Sequence, residues 1–260
     1  MRFDVITLFP ELFAPFLKTG VTRRAFESGQ VEVVFTNPRD AAQGNYRRVD
    51  DRPFGGGPGM VLLAEPLSLC VQHIRAARPA PSAPVKPVPV VLFSPAGKPL
   101  GHGDVQRWAS GDGAILVCGR YEGLDQRFID ESVDEQISLG DFVLSGGELP
   151  AMALLDAIAR LQPGVLSDAA SHEQDSFSDG LLDCPHYSRP ELLRTASGDE
   201  LPVPPVLLSG NHAHIARWRR DRALEITARR RPELITVARA DGKLSKADEK
   251  ALAALGLSGL

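Results

Sequence analysis

Four groups of residues in this chain are of types that do chemistry. The first is a set of glycine-rich stretches that each follow an apolar run. These are Ser94-Pro95-Ala96-Gly97 after VVLF, Gly119-Arg120-Tyr121-Glu122-Gly123 after AILVC, and Ser138 through Gly147 after a short run near Val133 to Ile137. A fourth, DRPFGGGPGM, spans Asp51 to Met60. Glycine lets backbone amides approach a ligand closely, and open α/β sheets bind ligands beyond the carboxyl ends of their strands. Taken together, the loops predict a small-molecule pocket. The second group is Asp156 and Arg160, four apart on a predicted helix and so on one face; alone they read as a surface ion pair. The third is His172, Glu173, Asp175 and Asp179 in a polar stretch. Such acids are ordinarily solvated, although a carboxylate on a loop that closes over a site can act as a general base. The fourth is Arg217, Arg219, Arg220, Arg222, Arg229, Arg230 and Arg231 with Trp218 among them, opposed locally only by Asp221 and Glu225. This stripe is either a solvated helix face or a surface for a nucleic-acid backbone.

The string Leu144-Ser145-Gly146-Gly147-Glu148 is one residue from the LSGGQ signature of ABC-type ATPases. That chemistry also needs a phosphate cradle, GxxxxGK[ST], opening a helix. Gly97-Lys98 is followed by Pro99, Gly242-Lys243 by Leu244, and the Asp51–Met60 loop has no Lys-Ser/Thr pair. The ATPase reading is therefore rejected.

The elements that must position these groups follow from pattern. Phe3 to Phe9 alternates as a strand, Pro10 and Glu11 suit a first helical turn, and Val31 to Phe35 is a second strand. VLLAEPLSLCVQHIRAA gives a short strand and an amphipathic helix. Val90–Phe93 and Ala114–Cys118 are continuous apolar runs, as in strands buried on both faces of a parallel sheet. Helices are expected near Asp104–Ala109 and over Leu149–Leu161. Alternating strand and helix predicts an α/β domain with a mostly parallel sheet. The segment Pro79–Pro89 has five prolines in eleven residues, which predicts an extended tether. Beyond Pro163 the polar, small-residue texture predicts a linker. After it, Asn211, Pro232 and Ser245 with Asp248 mark three helix starts.

The 260 residues suffice for one large domain, or a medium one and a small one. Hydrophobic residues at 43% and charged residues at 24% are ordinary for a soluble globular chain, and a net charge of −4 argues against a globally basic nucleic-acid binder while leaving a local basic patch open. Cys70, Cys118 and Cys184 are odd in number and form no CxxC pair, so neither a disulfide framework nor a zinc site is expected, which fits a cytoplasmic location. No signal-peptide pattern and no apolar run of membrane-spanning length is present.

Five strings carry a resemblance to a known family: VDDRPFGGGPGM, LVCGRYEG, SLGDFVLSGGELPAM, DSFSDGLLDCPHYSRPE and VPPVLLSGNHAHIARWR. In this order they resemble the bacterial tRNA (guanine-N1)-methyltransferases of the SPOUT superfamily. The likeness runs from LFPELF to the helix at Arg222; the Pro-rich segment and RTASGDE, Arg194 to Glu200, look like additions that leave the motifs intact. The resemblance implies a mostly parallel α/β sheet with a deep trefoil knot, over residues 1–164, an interdomain linker over 165–178, and a helical tRNA-binding domain over 179–260. Nothing in the periodicity indicates a knot, and rarity alone would exclude one.

The same resemblance implies a homodimer with its active site between subunits, S-adenosylmethionine as cofactor, and methylation of N1 of the guanosine at tRNA position 37, with no membrane partner. Leu139, Gly140, Asp141, Phe142, Val143 and Leu144 would wrap the adenosine. Ser94, Pro95, Gly119, Tyr121 and Gly123 would complete the pocket with Ser138, Ser145 and Pro150, while Gly146 and Gly147 permit the bend and Glu122 lies toward the sulfonium. Asp175 becomes the general base and Arg160 the stabiliser of guanine O6. The basic stripe, including Arg217, becomes the tRNA surface, with Asp183 and Arg189 near the substrate base, and Pro58 and Gly59 in a loop lining the guanine pocket. His172 and Glu173 keep their solvated reading. Magnesium is associated with methyl transfer in the family, yet the sequence offers no ligand set for it. The competing readings are a knotted methyltransferase acting on a ribose 2′-hydroxyl and a non-catalytic RNA-binding protein.

Overall fold

A computed structural model describes residues 1–78, 87–166 and 174–257. Two compact units are present, Met1–Asp168 and Ala169–Leu260. Most of the Pro-rich segment, and His172 and Glu173 of the polar stretch, lie outside the described residues.

The first unit is built on a five-stranded sheet of β1 (Arg2–Ile6), β2 (Glu32–Thr36), β5 (Val90–Pro99), β6 (Ile115–Val117) and β7 (Glu135–Ser138), in the order β2-β1-β6-β5-β7. Every pairing is parallel, as the continuous apolar runs predict. Period-two alternation sends Phe3, Val5, Val91, Phe93 and Leu116 to one buried cluster, and Ile6, Val90, Leu92, Ile115 and Val117 to another. The first cluster is closed by α1 (Phe13–Lys18), α2 (Arg23–Glu27), α5 (His102–Ala109) and α7 (Glu148–Arg160); the second by α3 (Pro38–Ala41), α4 (Ala64–Ala77) and α6 (Gln126–Ser132). A sheet covered on both faces must be apolar throughout. Asp4 is a charged exception: fully buried in β1, it is neutralised by Arg2 and Arg78, each 2.7 Å away.

Two expectations shift. The stretch after Ile6 leaves the sheet, and Pro10–Leu12 forms a 3₁₀ turn before α1. Ser94–Gly97, expected as a loop after its strand, belongs to β5 as an irregularity: both Phe93 and Lys98 pair with Ile137. A bulge of this kind re-aims the chain without ending the strand. A small antiparallel hairpin of β3 (Asp50–Asp51) and β4 (Val61–Leu62) stands beside the main sheet.

In the second unit the helices His212–Arg230, Pro232–Ala240 and Lys246–Ala254 surround a core of Leu181, Leu224, Ala228, Ile235, Ala238 and Leu252. Asn211 Oδ1 accepts from His214 N, Pro232 begins its helix, and Ser245 with Asp248 forms a capping box. The RTASGDE stretch closes a β-hairpin, Leu192–Arg194 with Glu200–Pro202, which its polar composition does not announce. Among the described residues, no helix is long and apolar enough to cross a membrane.

Candidate functional site

Strands β5, β6 and β7 are parallel, so their carboxyl ends fall at one edge of the sheet. There the segments that follow them enclose a cavity of about 380 Å³. Ser94 and Pro95 come from β5; Gly119, Tyr121, Glu122 and Gly123 from the turn after β6; Ser138–Gly140 and Phe142–Gly147 from β7 onward; and Pro150 from α7. All the residues expected to hold the cofactor line this cavity except Asp141, which is exposed and does not line it. Tyr121 adopts a positive φ of 61°, a conformation that non-glycine residues rarely adopt and that clusters at ligand sites. The size and the mixture of apolar walls with backbone groups suit a nucleoside.

The bend at Ser145–Gly147 is held from behind by residues that do not stand out in the sequence. Glu148, in the first turn of α7, is 1% exposed. Its Oε1 accepts a 2.8 Å hydrogen bond from Thr7 Oγ1, just past β1, and its Oε2 lies 2.9 Å from Arg120 Nε as an ion pair without hydrogen-bond alignment. Arg120 Nη1 donates to Ser145 O at 3.1 Å, and the guanidinium lies 4.6 Å from the centroid of the Phe9 ring. Gly147 N donates to Gly119 O at 3.0 Å, and a Cβ on Gly147 would sit 2.7 Å from Cys118 Cα. Only glycine permits that approach. Cys118, between these loops, has its thiol pKa pushed well up by burial and then by the Glu148 charge, so it is an inert thiol.

Arg160, at the end of α7, is half-buried and lines a second cavity of about 380 Å³ with Asp156, Phe16 and residues 19–22. In the second unit Asp175 is half-buried and lines a cavity of about 280 Å³ together with Asp179, Asp183, His186, Arg219 and Arg220. Asp183 accepts from Cys184 N at 2.6 Å and is bridged to His186 Nε2 at 2.8 Å. Arg189 is exposed. Asp183, Cys184 and His186 are the one group among the described residues that could jointly ligate a metal. A thiol and an imidazole suit a soft cation, whereas magnesium takes oxygen ligands. The cluster does not fit magnesium, and no step is routed through that ion.

The arginine stripe is more neutralised than its local sequence implies. Arg217 binds Asp221 through Nε at 2.9 Å and Asp248 at 3.0 Å, Arg220 reaches Asp179 and Asp248, Arg222 and Arg229 share Glu225, and Arg231 meets Glu233. Asp179, Asp248 and Glu233 come from outside the stripe, which is why inspection of the helix alone misses them. Among the described residues no ion pair is found to Arg219 or Arg230. Arg219 rather than Arg217 faces the cavity that holds Asp175.

Against known proteins, the family model described as "tRNA (Guanine-1)-methyltransferase TrmD" matches residues 1–237. A curated protein from a Polaromonas species, named tRNA (guanine-N(1)-)-methyltransferase, is 66% identical over 258 residues, covering 98% of this chain and 97% of its own length. One of the same name from Methylibium petroleiphilum is 65% identical over 260 residues, with both chains covered in full. Another from Burkholderia mallei is 55% identical over 255 residues, covering 98% of this chain and 94% of its own.

Proposed function

The chain belongs to the tRNA (guanine-1)-methyltransferase family, and we propose that it methylates N1 of the guanosine at tRNA position 37 with S-adenosylmethionine as donor. The observation that carries this reading is the cavity at the sheet edge. Its three segments offer backbone groups and apolar walls, the needs of a neutral adenosine, and no phosphate cradle. When bound, the cofactor supplies an electrophilic methyl group on a sulfonium. Leu139, Gly140, Phe142 and Leu144 would bind the adenosine with Ser94, Pro95 and Gly119, and Glu122 would lie toward the positive end.

Guanine N1 carries a proton and is a poor nucleophile until it is removed. Asp175 would take that proton as the N–CH₃ bond forms and the methyl–sulfur bond of the sulfonium breaks, leaving a neutral thioether, and Arg160 would stabilise the negative charge that spreads to O6. Asp183, Arg189 and Arg217, with Arg219 added from the cavity lining, hold the substrate nucleotide, and Pro58 and Gly59 border it. The reading includes a homodimer in which Arg160 and Asp175 of different subunits meet, a deep trefoil knot around the cofactor, and a cytoplasmic location. Exposed Leu12, Val21, Val143 and Leu149 on the first unit are apolar surface that dimerisation would cover.

The test is incubation of purified protein with an unmodified tRNA transcript and methyl-labelled cofactor, followed by nucleoside analysis. N1-methylguanosine at position 37 is expected. A 2′-O-methylated nucleoside, or no transfer, would overturn the reading.

A further inference from the structure

The β3–β4 hairpin and the chain just before it carry two exposed aromatic rings. Phe54, in the connecting loop, is fully exposed at 101%, and Tyr46, shortly before β3, is 94% exposed. The hairpin is nonetheless fixed in place. Leu62 N donates to Gly123 O at 2.9 Å, Glu122 N to Met60 O at 3.0 Å, and Asp125 N to Leu62 O at 2.9 Å. A Cβ on Gly59 would fall 2.4 Å from the Glu122 side chain. The loop bearing Phe54 is therefore fastened to the rim of the cofactor cavity through Glu122 and Gly123.

The charges around the rings are unequal. Arg47 is held by Asp40 at 3.0 Å, and Arg48 by Asp51 at 2.7 Å and Asp50 O at 2.8 Å. Among the described residues no ion pair is found to Arg52, two residues from Phe54. An uncovered ring two residues along the chain from a guanidinium with no ion pair found among the described residues, on a loop fastened to the edge of a pocket, matches how single-stranded RNA is held: a base stacks on the ring and its phosphate meets the cation. We propose that Phe54 is a stacking platform for an unpaired base of the RNA substrate beside the modified guanine, with Arg52 on the adjoining phosphate. This rests on the tRNA methyltransferase reading above.

Phe54→Ala, Phe54→Trp and Arg52→Gln would be compared with wild type using an unmodified tRNA transcript and saturating cofactor. Loss of one base–aromatic stack is expected to raise the KM for tRNA by roughly 5- to 100-fold in Phe54→Ala, with kcat and the Kd for cofactor unchanged. Phe54→Trp should keep KM within about twofold and show tRNA-dependent quenching beyond that of wild type, since a stacked indole is quenched by a base. Arg52→Gln should lower the salt slope of tRNA binding by about one. An unchanged KM in Phe54→Ala, no added quenching in Phe54→Trp, or a shift in sedimentation of Phe54→Ala showing that a second copy covers the ring, would each overturn the proposal. If wild type transfers no methyl group, the parent reading fails, whereas the quenching measurement judges the stacking separately.

Discussion

Arg120 Nε and Glu148 Oε2 lie 2.9 Å apart behind the sheet-edge cavity, and the bend at Gly146 and Gly147 is folded around them. Glu148 is buried, and its two carboxylate oxygens meet the Thr7 hydroxyl and Arg120. Glu148→Gln keeps the shape but leaves Arg120 without its counter-charge. Because Arg120 retains some exposure, the loss of stability should fall near the low end of the roughly 3–5 kcal/mol typical of a broken buried pair. Urea denaturation checks this, and calorimetric titration with cofactor should show weakened binding. Unchanged stability and affinity would remove the pair from the account of the pocket.

Gly147→Ala and Gly146→Ala should differ in severity. A methyl on Gly147 meets backbone, Cys118 Cα at 2.7 Å, whereas one on Gly146 meets side chains, Arg120 Nε at 2.3 Å and Glu148 Oε2 at 2.6 Å. Backbone cannot yield cheaply, so Gly147→Ala should cost about 1–3 kcal/mol or more and weaken cofactor binding more than Gly146→Ala does. The reverse order in a titration would contradict the packing argument.

Asp175→Asn removes the proposed proton acceptor while keeping its size. Turnover should fall by about 10²–10⁴-fold, with the Kd for cofactor held, since Asp175 lies outside the sheet-edge cavity. Full activity would eliminate the base assignment.

Arg160→Ala should lower kcat by about 10²–10³-fold, as for loss of one oxyanion stabiliser. Cofactor affinity should barely move, because Arg160 lines a different cavity. A variant that loses cofactor binding and retains kcat would refute the role.

The second unit should lose stability in acid through Asp248. Burial pushes its pKa up, but hydrogen bonds from Ser245, Arg220 and Arg217 outweigh this, and the net shift is downward. Its folded pKa is therefore below its unfolded value near 4. The contribution is complete above that unfolded value and is lost as pH falls through the folded pKa. Thermal melts below about pH 4 should show the decline in wild type, and Asp248→Asn should flatten that part of the profile.

Local structure was legible wherever it is set by local rules. The caps at Asn211 and Ser245 and the proline at 232 fixed helix starts, because the unsatisfied amides of a first turn need those groups nearby. The apolar runs at Val90 and Ala114 gave a parallel sheet, because both faces are covered. The β-hairpin around Arg194 to Glu200 is not legible in the sequence, since a short exposed ladder has no buried face to impose alternation. The Ser94–Gly97 bulge is not distinguishable from a loop in the sequence, because glycine and proline signal both alike.

The sequence by itself determined which residue types are gathered after each strand, and hence the pocket chemistry and the family. Tertiary structure decided which of them meet. Thr7 and Glu148 are 141 residues apart and touch only because the sheet order places β1 next to β6. That burial turns an acidic residue at a helix start, ordinarily a partner for the dipole, into the counter-ion of Arg120. Likewise Asp179 and Asp248 reach the arginine stripe from elsewhere in the second unit and leave Arg219, not Arg217, facing Asp175's cavity. Backbone periodicity records a residue's own element; its charge partners depend on how elements pack, and at these separations no local pattern records that.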